Sequence, residues 1–210
     1  MSSTEDIWEA AKNGDVDKLS TLISAKPDLD VKDSHGDTPL HKAASYGHSA
    51  CVQALIDAKA IIEVRNANDH TPLHSAADDS NRDAVQVLID AQANIDVRDH
   101  DNCTPLHYAA WNGNTDAVQV LLDAKSDVHV RNSNRRTPIY WAACDGHTGV
   151  VQILVNAKAA VDDKEKDGNT LLHRAAQNGH SGMVKILVDA KASLDDKNDS
   201  YGMTPLHEAA

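Results

Sequence analysis

An all-α solenoid, with helix-turn-helix units stacked along one axis and joined by β-hairpin-like turns, is the fold class that this 210-residue chain predicts. Two observations predict it. Thr-Pro-Leu-His begins at Thr38, Thr71, Thr104 and Thr204, with degenerate copies Thr137-Pro-Ile-Tyr and Thr170-Leu-Leu-His between, in steps of 33 residues and a last step of 34. Self-similarity at such a period marks a row of supersecondary units, each too small to bury its own apolar face. The second observation is composition: aromatic residues are 3% and Phe is absent, so the core must be thin and built from Ala, Leu, Ile and Val. Function is then sought on a repeated surface and not in one pocket.

The unit from Asp33 to Arg65 shows the logic of each element. Thr38 is placed to cap a helix and Pro39 takes its first position, where a missing N–H costs nothing. Leu40, Ala43 and Ala44 share one face, and Gly47 can take the left-handed conformation that ends a short helix. Ser49 is placed to cap a second helix with the stripe Cys51, Val52, Leu55 and Ile56, and the hydroxyl recurs at Thr115, Thr148 and Ser181. Ala60, Ile62 and Val64 then fall at alternate positions, with Glu63 and Arg65 as charged neighbours, before a turn that projects from the stack.

A turn, Thr-Pro-Leu-His, paired alanines, Gly-His and an apolar second helix together resemble the ankyrin repeat. The resemblance covers nearly the whole chain. Ile7-Trp8-Glu9-Ala10-Ala11 and Asn13-Gly14-Asp15 fall in the register of a degenerate first repeat (5–32). Full repeats follow at 33–65, 66–98, 99–131, 132–164 and 165–197, and a sixth, 198–210, stops after its paired alanines, as expected of a piece of something longer.

Departures from the pattern carry expectations of their own. The Gly that usually follows the second helix is Lys59, Gln92, Lys125, Lys158 and Lys191, so either those residues hold a left-handed backbone at about 1–2 kcal/mol each or the helix ends differently. The second repeat reads Asp78-Asp79-Ser80-Asn81 where its neighbours have Gly-His or Gly-Asn, and has Asp69 for the turn Gly; it is the expected weak link. Arg135 replaces the turn Gly and Tyr140 the motif His of the fourth repeat.

Charge and cysteine usage exclude several function classes. Lys and Arg total 20 against 32 Asp and Glu, a net charge of −12, which disfavours a nucleic-acid partner and attracts basic protein surfaces. Three scattered cysteines, the absence of a membrane-length apolar run and an N-terminus unlike a signal peptide read as cytosolic or nuclear, without membrane insertion.

Twelve histidines invite a metal or acid-base reading, yet His41, His74, His107, His173 and His207 occupy the motif slot and His48, His147 and His180 the Gly-His slot. The resemblance implies neutral rings bonded to backbone and to the Thr hydroxyl. His35, His70 and His100 lie at different positions of successive turns, which does not suit converging metal ligands. Cys144 and His147 bracket a loop shared with other repeats, and no Gly-rich loop follows a strand and opens a helix. The expectation is no enzyme, catalytic residue, metal, cofactor or small-molecule substrate.

In the resembled family the turns and first helices line a concave side, so a partner is expected at the positions not spent on the motif. These are Tyr46, Asp78, Asp79, Tyr108, Trp111, Arg136, Trp141, Asp145 and Arg174. Tyr108 and Trp111 are three apart on one helix and Trp141 is one repeat on, so the rings should form one patch, either a binding hot spot or filler between helices. The 66–98 unit has six Asp against two Arg (−4) and the 132–164 unit four basic against three acidic residues (+1), so the surface is graded. A protein or peptide with a basic segment near Asp69, Asp78 and Asp79 and an apolar anchor near Trp111 and Trp141 fits. The expected function is a non-enzymatic interaction scaffold; the alternative is a targeting or regulatory module of a larger multidomain enzyme, channel or effector. A third possibility, side-chain hydroxylation as in some ankyrin repeats, meets Glu63, Asp96, His129, Asp162 and Asp195 in the relevant slot and lacks the usual Asn.

Overall fold

A computed structural model describes residues 3–79 and 81–208, with side chains from Asp6 onward. Ser80, which bears on the second repeat, and the paired alanines 209–210 of the sixth lie outside the described residues. Among the described residues the chain is helical with no strand. The helices run in pairs: α1 (Ser3–Asn13) with α2 (Val16–Ser24), α3 (Pro39–Ser45) with α4 (Ser49–Asp57), and α5 (Pro72–Asp78) with α6 (Arg82–Asp90). Next come α7 (Pro105–Trp111) with α8 (Thr115–Asp123), α9 (Pro138–Cys144) with α10 (Thr148–Asn156), α11 (Leu171–Gln177) with α12 (Ser181–Asp189), and the short α13 (Pro205–Glu208). First helices stack on first helices, and second helices on second helices.

The period of the sequence becomes a period of the core. Leu40, Leu73, Leu106, Ile139 and Leu172 are 33 apart and no more than 2% exposed; Leu55, Leu88, Leu121, Leu154 and Leu187 form a second row at 0%. Buried Ala pairs such as Ala43/Ala44 and Ala109/Ala110 let neighbouring first helices approach closely. In the last unit the counterpart of Leu40 is Leu206, 79% exposed, with no second helix over it among the described residues.

The helix ends settle the open question about lysine. Lys59, Gln92, Lys125, Lys158 and Lys191 have φ of 74, 69, 75, 70 and 69°. Each ends its helix with a Schellman pattern; at the first, the Lys59 N–H reaches Ile56 O at 2.9 Å and the Ala60 N–H reaches Leu55 O at 3.0 Å. All five side chains are exposed, so the strain is confined to the backbone. After the first helices the residue is Gly for an added reason: a Cβ on Gly113 (φ +74) would lie 2.6 Å from Nδ1 of His147 in the next unit. The turn positions Asp69 (φ 65) and Arg135 (φ 63) hold the same left-handed geometry as Gly36.

Ser49 does not cap α4. Its own N–H already bonds Gly47 O at 2.9 Å, and the residue outside the helix is His48. The His48 ring turns back to donate from Nε2 to Lys12 O at 2.9 Å, a bridge between repeats. Asn81 fills this role in the second repeat, donating to Ala44 O at 3.0 Å and Ser45 O at 2.6 Å.

The motif histidines join each unit to the next. Nδ1 of His41 faces the Thr38 N–H at 3.2 Å and its hydroxyl at 3.0 Å, and Nε2 donates to His70 O at 3.0 Å. His74, His107 and His173 repeat this toward Cys103 O, Arg136 O and Met203 O. Burial holds the His41 ring neutral and pushes His74 and His107 down to about 4. Two further ladders were not foreseen. Lys32, Arg65, Arg98 and Lys164 each donate to the main-chain carbonyl 33 residues on. Asp30, Glu63, Asp96 and Asp162 each accept the backbone N–H 31 residues on, so Glu63, Asp96 and Asp162 in the slot considered for hydroxylation are stack-joining carboxylates.

Candidate interaction surface

The face made by the first helices and turns carries the variable residues, and three slots per unit define it. The first slot runs Lys42, Ser75, Tyr108, Trp141, Arg174; the second Ser45, Asp78, Trp111, Cys144, Gln177; the third Tyr46, Asp79, Asn112, Asp145, Asn178.

In units one, three and five an acidic residue opening the turn pins the side chain nine positions later. Asp33 holds Lys42 at 2.9 Å, Asp99 accepts the Tyr108 hydroxyl at 2.6 Å, and Glu165 holds Arg174 at 2.7 Å. In units two, four and six the turn opens with Asn66, Asn132 and Asn198, whose amides reach back to the preceding turn at Asp37, Cys103 and Asn169. Trp141 therefore has no such pin.

The rings form a continuous line. Tyr108 and Trp111 have centroids 6.3 Å apart, and Trp111 stacks on Trp141 at 4.8 Å and 30°. Tyr140 packs edge-on to Trp141 at 6.3 Å, and the Arg136 guanidinium lies over Tyr140 and Trp141 at 4.9 and 5.4 Å. Trp111 is 43% exposed and Trp141 half-buried, with its Nε1 buried and without a hydrogen-bond partner. This stack is both filler and surface: Trp141 fills, Trp111 faces out.

Electrostatics divide the expected residues into engaged and free. Tyr108 is engaged with Asp99 and with Nε2 of His70 at 2.9 Å; burial and the Asp99 charge hold its phenol proton far above the usual range. Burial opposes the Asp99 charge, yet bonds from His70, Tyr108 and the Cys103 backbone outweigh it and keep the carboxyl well below the usual carboxylate range. Arg136 and Arg174 converge on Glu165 at 3.1 and 2.7 Å, and Arg174 also holds Asp167 at 2.7 Å. Tyr140, in place of a motif His, is buried; desolvation and hydrogen bonding to Cys144 and Glu165 raise its pKa. Tyr140, not His147, is thus the partner of the half-buried Cys144 thiol.

Tyr46, Asp78, Asp79 and Asp145 are exposed. Asp79 accepts the Ser45 hydroxyl at 2.5 Å and Asp78 the Asn112 amide at 2.6 Å, but neither has a Lys or Arg within 4.0 Å among the described residues. Asp78 is exposed as a residue, but local desolvation of its carboxyl by its neighbours, together with the Asp79 charge, pushes it up. Tyr46 lies two units before Trp111, with the Lys12 ammonium 5.8 Å from its ring. Of the turn histidines, His70 is drawn in by Asp99 and Tyr108, while the side chains of His35 and His100 are 80% and 71% exposed. The residues that the sequence reading missed are His70, Asp99, Glu165 and Asp167. For Asp99 and Glu165 the signal was the alternation of acid and amide at positions 33, 66, 99, 132, 165 and 198. No helix among the described residues is long and apolar enough to cross a membrane.

A family profile described as ankyrin repeats (3 copies) matches residues 7–99, 62–132, 92–165 and 158–210. The ankyrin repeat domain of human ASB11 superposes with a TM-score of 0.88 at 27% identity, covering 97% of this chain and 91% of that one. The ankyrin repeat domain of Bcl-3, described as a unique member of the IkappaB protein family, gives 0.84 at 25% identity, covering 98% and 93%. Among curated proteins, a 60 kDa lysophospholipase of Mus musculus is 49% identical over 43 residues, 20% of this chain and 8% of that protein. SMC5-SMC6 complex localization factor protein 1 of Bos taurus is 45% identical over 47 residues, 22% of this chain and 4% of that protein.

Proposed function

The chain belongs to the ankyrin-repeat family, whose repeats are generally protein-interaction modules, and from that premise we propose that it is a non-enzymatic scaffold that binds a protein or peptide on its concave face. The single observation that carries the reading is the Trp111–Trp141 stack, an aromatic pair with one exposed ring on the face where motif residues give way to variable ones. Large aromatics are among the residues most often found at binding hot spots, and an unpaired charge beside them adds selectivity. Asp78 and Asp79 supply that charge, which favours a partner with a basic segment and an apolar anchor. The stack is ordered before docking, so little entropy is lost on binding. Affinity capture from the native cell with wild-type and Trp111→Ala/Trp141→Ala proteins side by side tests this; recovery of the same partners by both removes the patch.

A second reading, a targeting or regulatory module of a larger multidomain enzyme, channel or effector, draws on the two curated relatives, of which the matched stretch is under a tenth. The mass of the endogenous protein on an immunoblot tests it: a 22.6 kDa band contradicts it.

A further inference from the structure

A second anchoring point lies at the other end of the same face. Between α1, the first turn and α3 is an open cavity of about 520 Å³ walled by Trp8, Glu9, Lys12, His35, Lys42 and Tyr46. Its charges are largely spoken for: Lys42 is clamped between Asp33 at 2.9 Å and Asp37 at 2.7 Å, and Lys12 lies over the Tyr46 ring. What it offers a ligand is the ring of Tyr46, 52% exposed, against the half-buried Trp8.

The two ends share an unusual feature. Among the described residues three buried side-chain polar atoms lack a hydrogen-bond partner, and two of them are the indole N–H groups of Trp8 and Trp141. Buried donors without acceptors are rare in native proteins and call for an explanation. Both N–H groups are sealed from the surface, so what these two tryptophans offer a ligand is their ring faces and not their donors. Between the two ends stand Asp78 and Asp79, on and beside α5, with no Lys or Arg within 4.0 Å of them among the described residues.

Spacing then defines the ligand. Tyr46 follows α3 and Trp111 ends α7, two helix spacings apart, which at about 8–10 Å per packed helix is about 16–20 Å. An extended peptide rises about 3.3 Å per residue and presents alternate side chains to one face, so anchors six positions apart fit and four do not. Resting on the concave-face reading above, we propose that this face takes an extended peptide with two aromatic or large apolar residues six positions apart, with Lys or Arg among the five residues between them. One anchor enters the Trp8/Tyr46 cavity, the basic side chains meet Asp78 and Asp79, and the other anchor lies on Trp111/Trp141.

The test is calorimetric titration of the protein with the end-blocked peptide Trp-Ser-Arg-Ser-Arg-Ser-Trp, whose side-chain order reads alike in both directions, and with its shortened form Trp-Ser-Arg-Ser-Trp. The longer peptide should bind at least about tenfold more tightly, and Tyr46→Ala should erase that difference. Asp78→Asn/Asp79→Asn should weaken the longer peptide by about tenfold or more and flatten its salt dependence. If Trp111→Ala/Trp141→Ala abolishes binding and Tyr46→Ala changes nothing, the second anchor is wrong and the single-patch reading stands. If neither change matters, both readings fall. No binding of the longer peptide at about 1 mM overturns the two-anchor ligand while leaving the capture experiment to judge the scaffold.

Discussion

The Tyr108 hydroxyl donates to Asp99, nine residues earlier, at 2.6 Å, and the same carboxylate accepts the backbone N–H groups of Asp101 and Cys103 at 2.9 and 2.8 Å. One buried carboxylate thus shapes a turn and fixes the ring that begins the aromatic line. Tyr108→Phe removes one hydrogen bond and should cost about 1 kcal/mol of stability; Asp99→Ala strands several buried donors and should cost about 2–4 kcal/mol. Urea unfolding of the two variants checks the order. Because the Asp99 pKa is depressed by folding, its contribution is complete above the unfolded value near 4 and disappears as pH falls below it.

The motif histidines set a second pH dependence, of the same sign but at higher pH. Burial pushes His74 and His107 down to about 4, whereas the unfolded value is about 6.5. Between these values the unfolded chain binds more protons, so stability is full above about pH 6.5 and falls as pH drops toward 4. Urea midpoints measured across that window should decline steeply. A His74→Gln/His107→Gln protein should be less stable at pH 7 yet show a flatter decline.

Lys125 holds φ 75° with an exposed side chain. Lys125→Gly relieves about 1–2 kcal/mol of backbone strain and adds about 0.4–1 kcal/mol of unfolded-state entropy, so a net gain of about 0.5–1 kcal/mol is expected. A higher urea midpoint with an unchanged slope supports this; an unchanged or lower midpoint contradicts it.

Glu165 is 8% exposed and stands between Arg136 and Arg174. Glu165→Ala leaves two half-buried guanidinium groups facing each other and should cost about 3 kcal/mol. The loss should appear first as faster hydrogen exchange in α11 and α12, which follow the broken joint.

Local rules made most of this fold legible in the chain. Thr38, Pro39 and Gly47 mark a helix by what each can and cannot do with its backbone, and the left-handed state of Lys125 follows from the position it shares with a family glycine. The error at Ser49 came from applying a capping rule one residue late: His48 takes the outside position and uses its ring to reach the previous repeat. The Tyr108–Trp111–Trp141 line followed from helix spacing. The pins at Asp99 and Glu165 did not, because each joins a turn to a helix and becomes visible only when the turns of all units are compared in a column. For the same reason Arg136 and Arg174, expected among the partner-contacting residues, turn out to be held by Glu165.

Side-chain footprinting by hydroxyl radicals, with and without the captured partner, tests the central claim most directly. The account predicts that the partner protects Tyr46 and Trp111 on the first-helix face while Ile61, 56% exposed in the loop after α4, stays as reactive as before. Protection of Ile61 with Trp111 unchanged would place recognition elsewhere and contradict it.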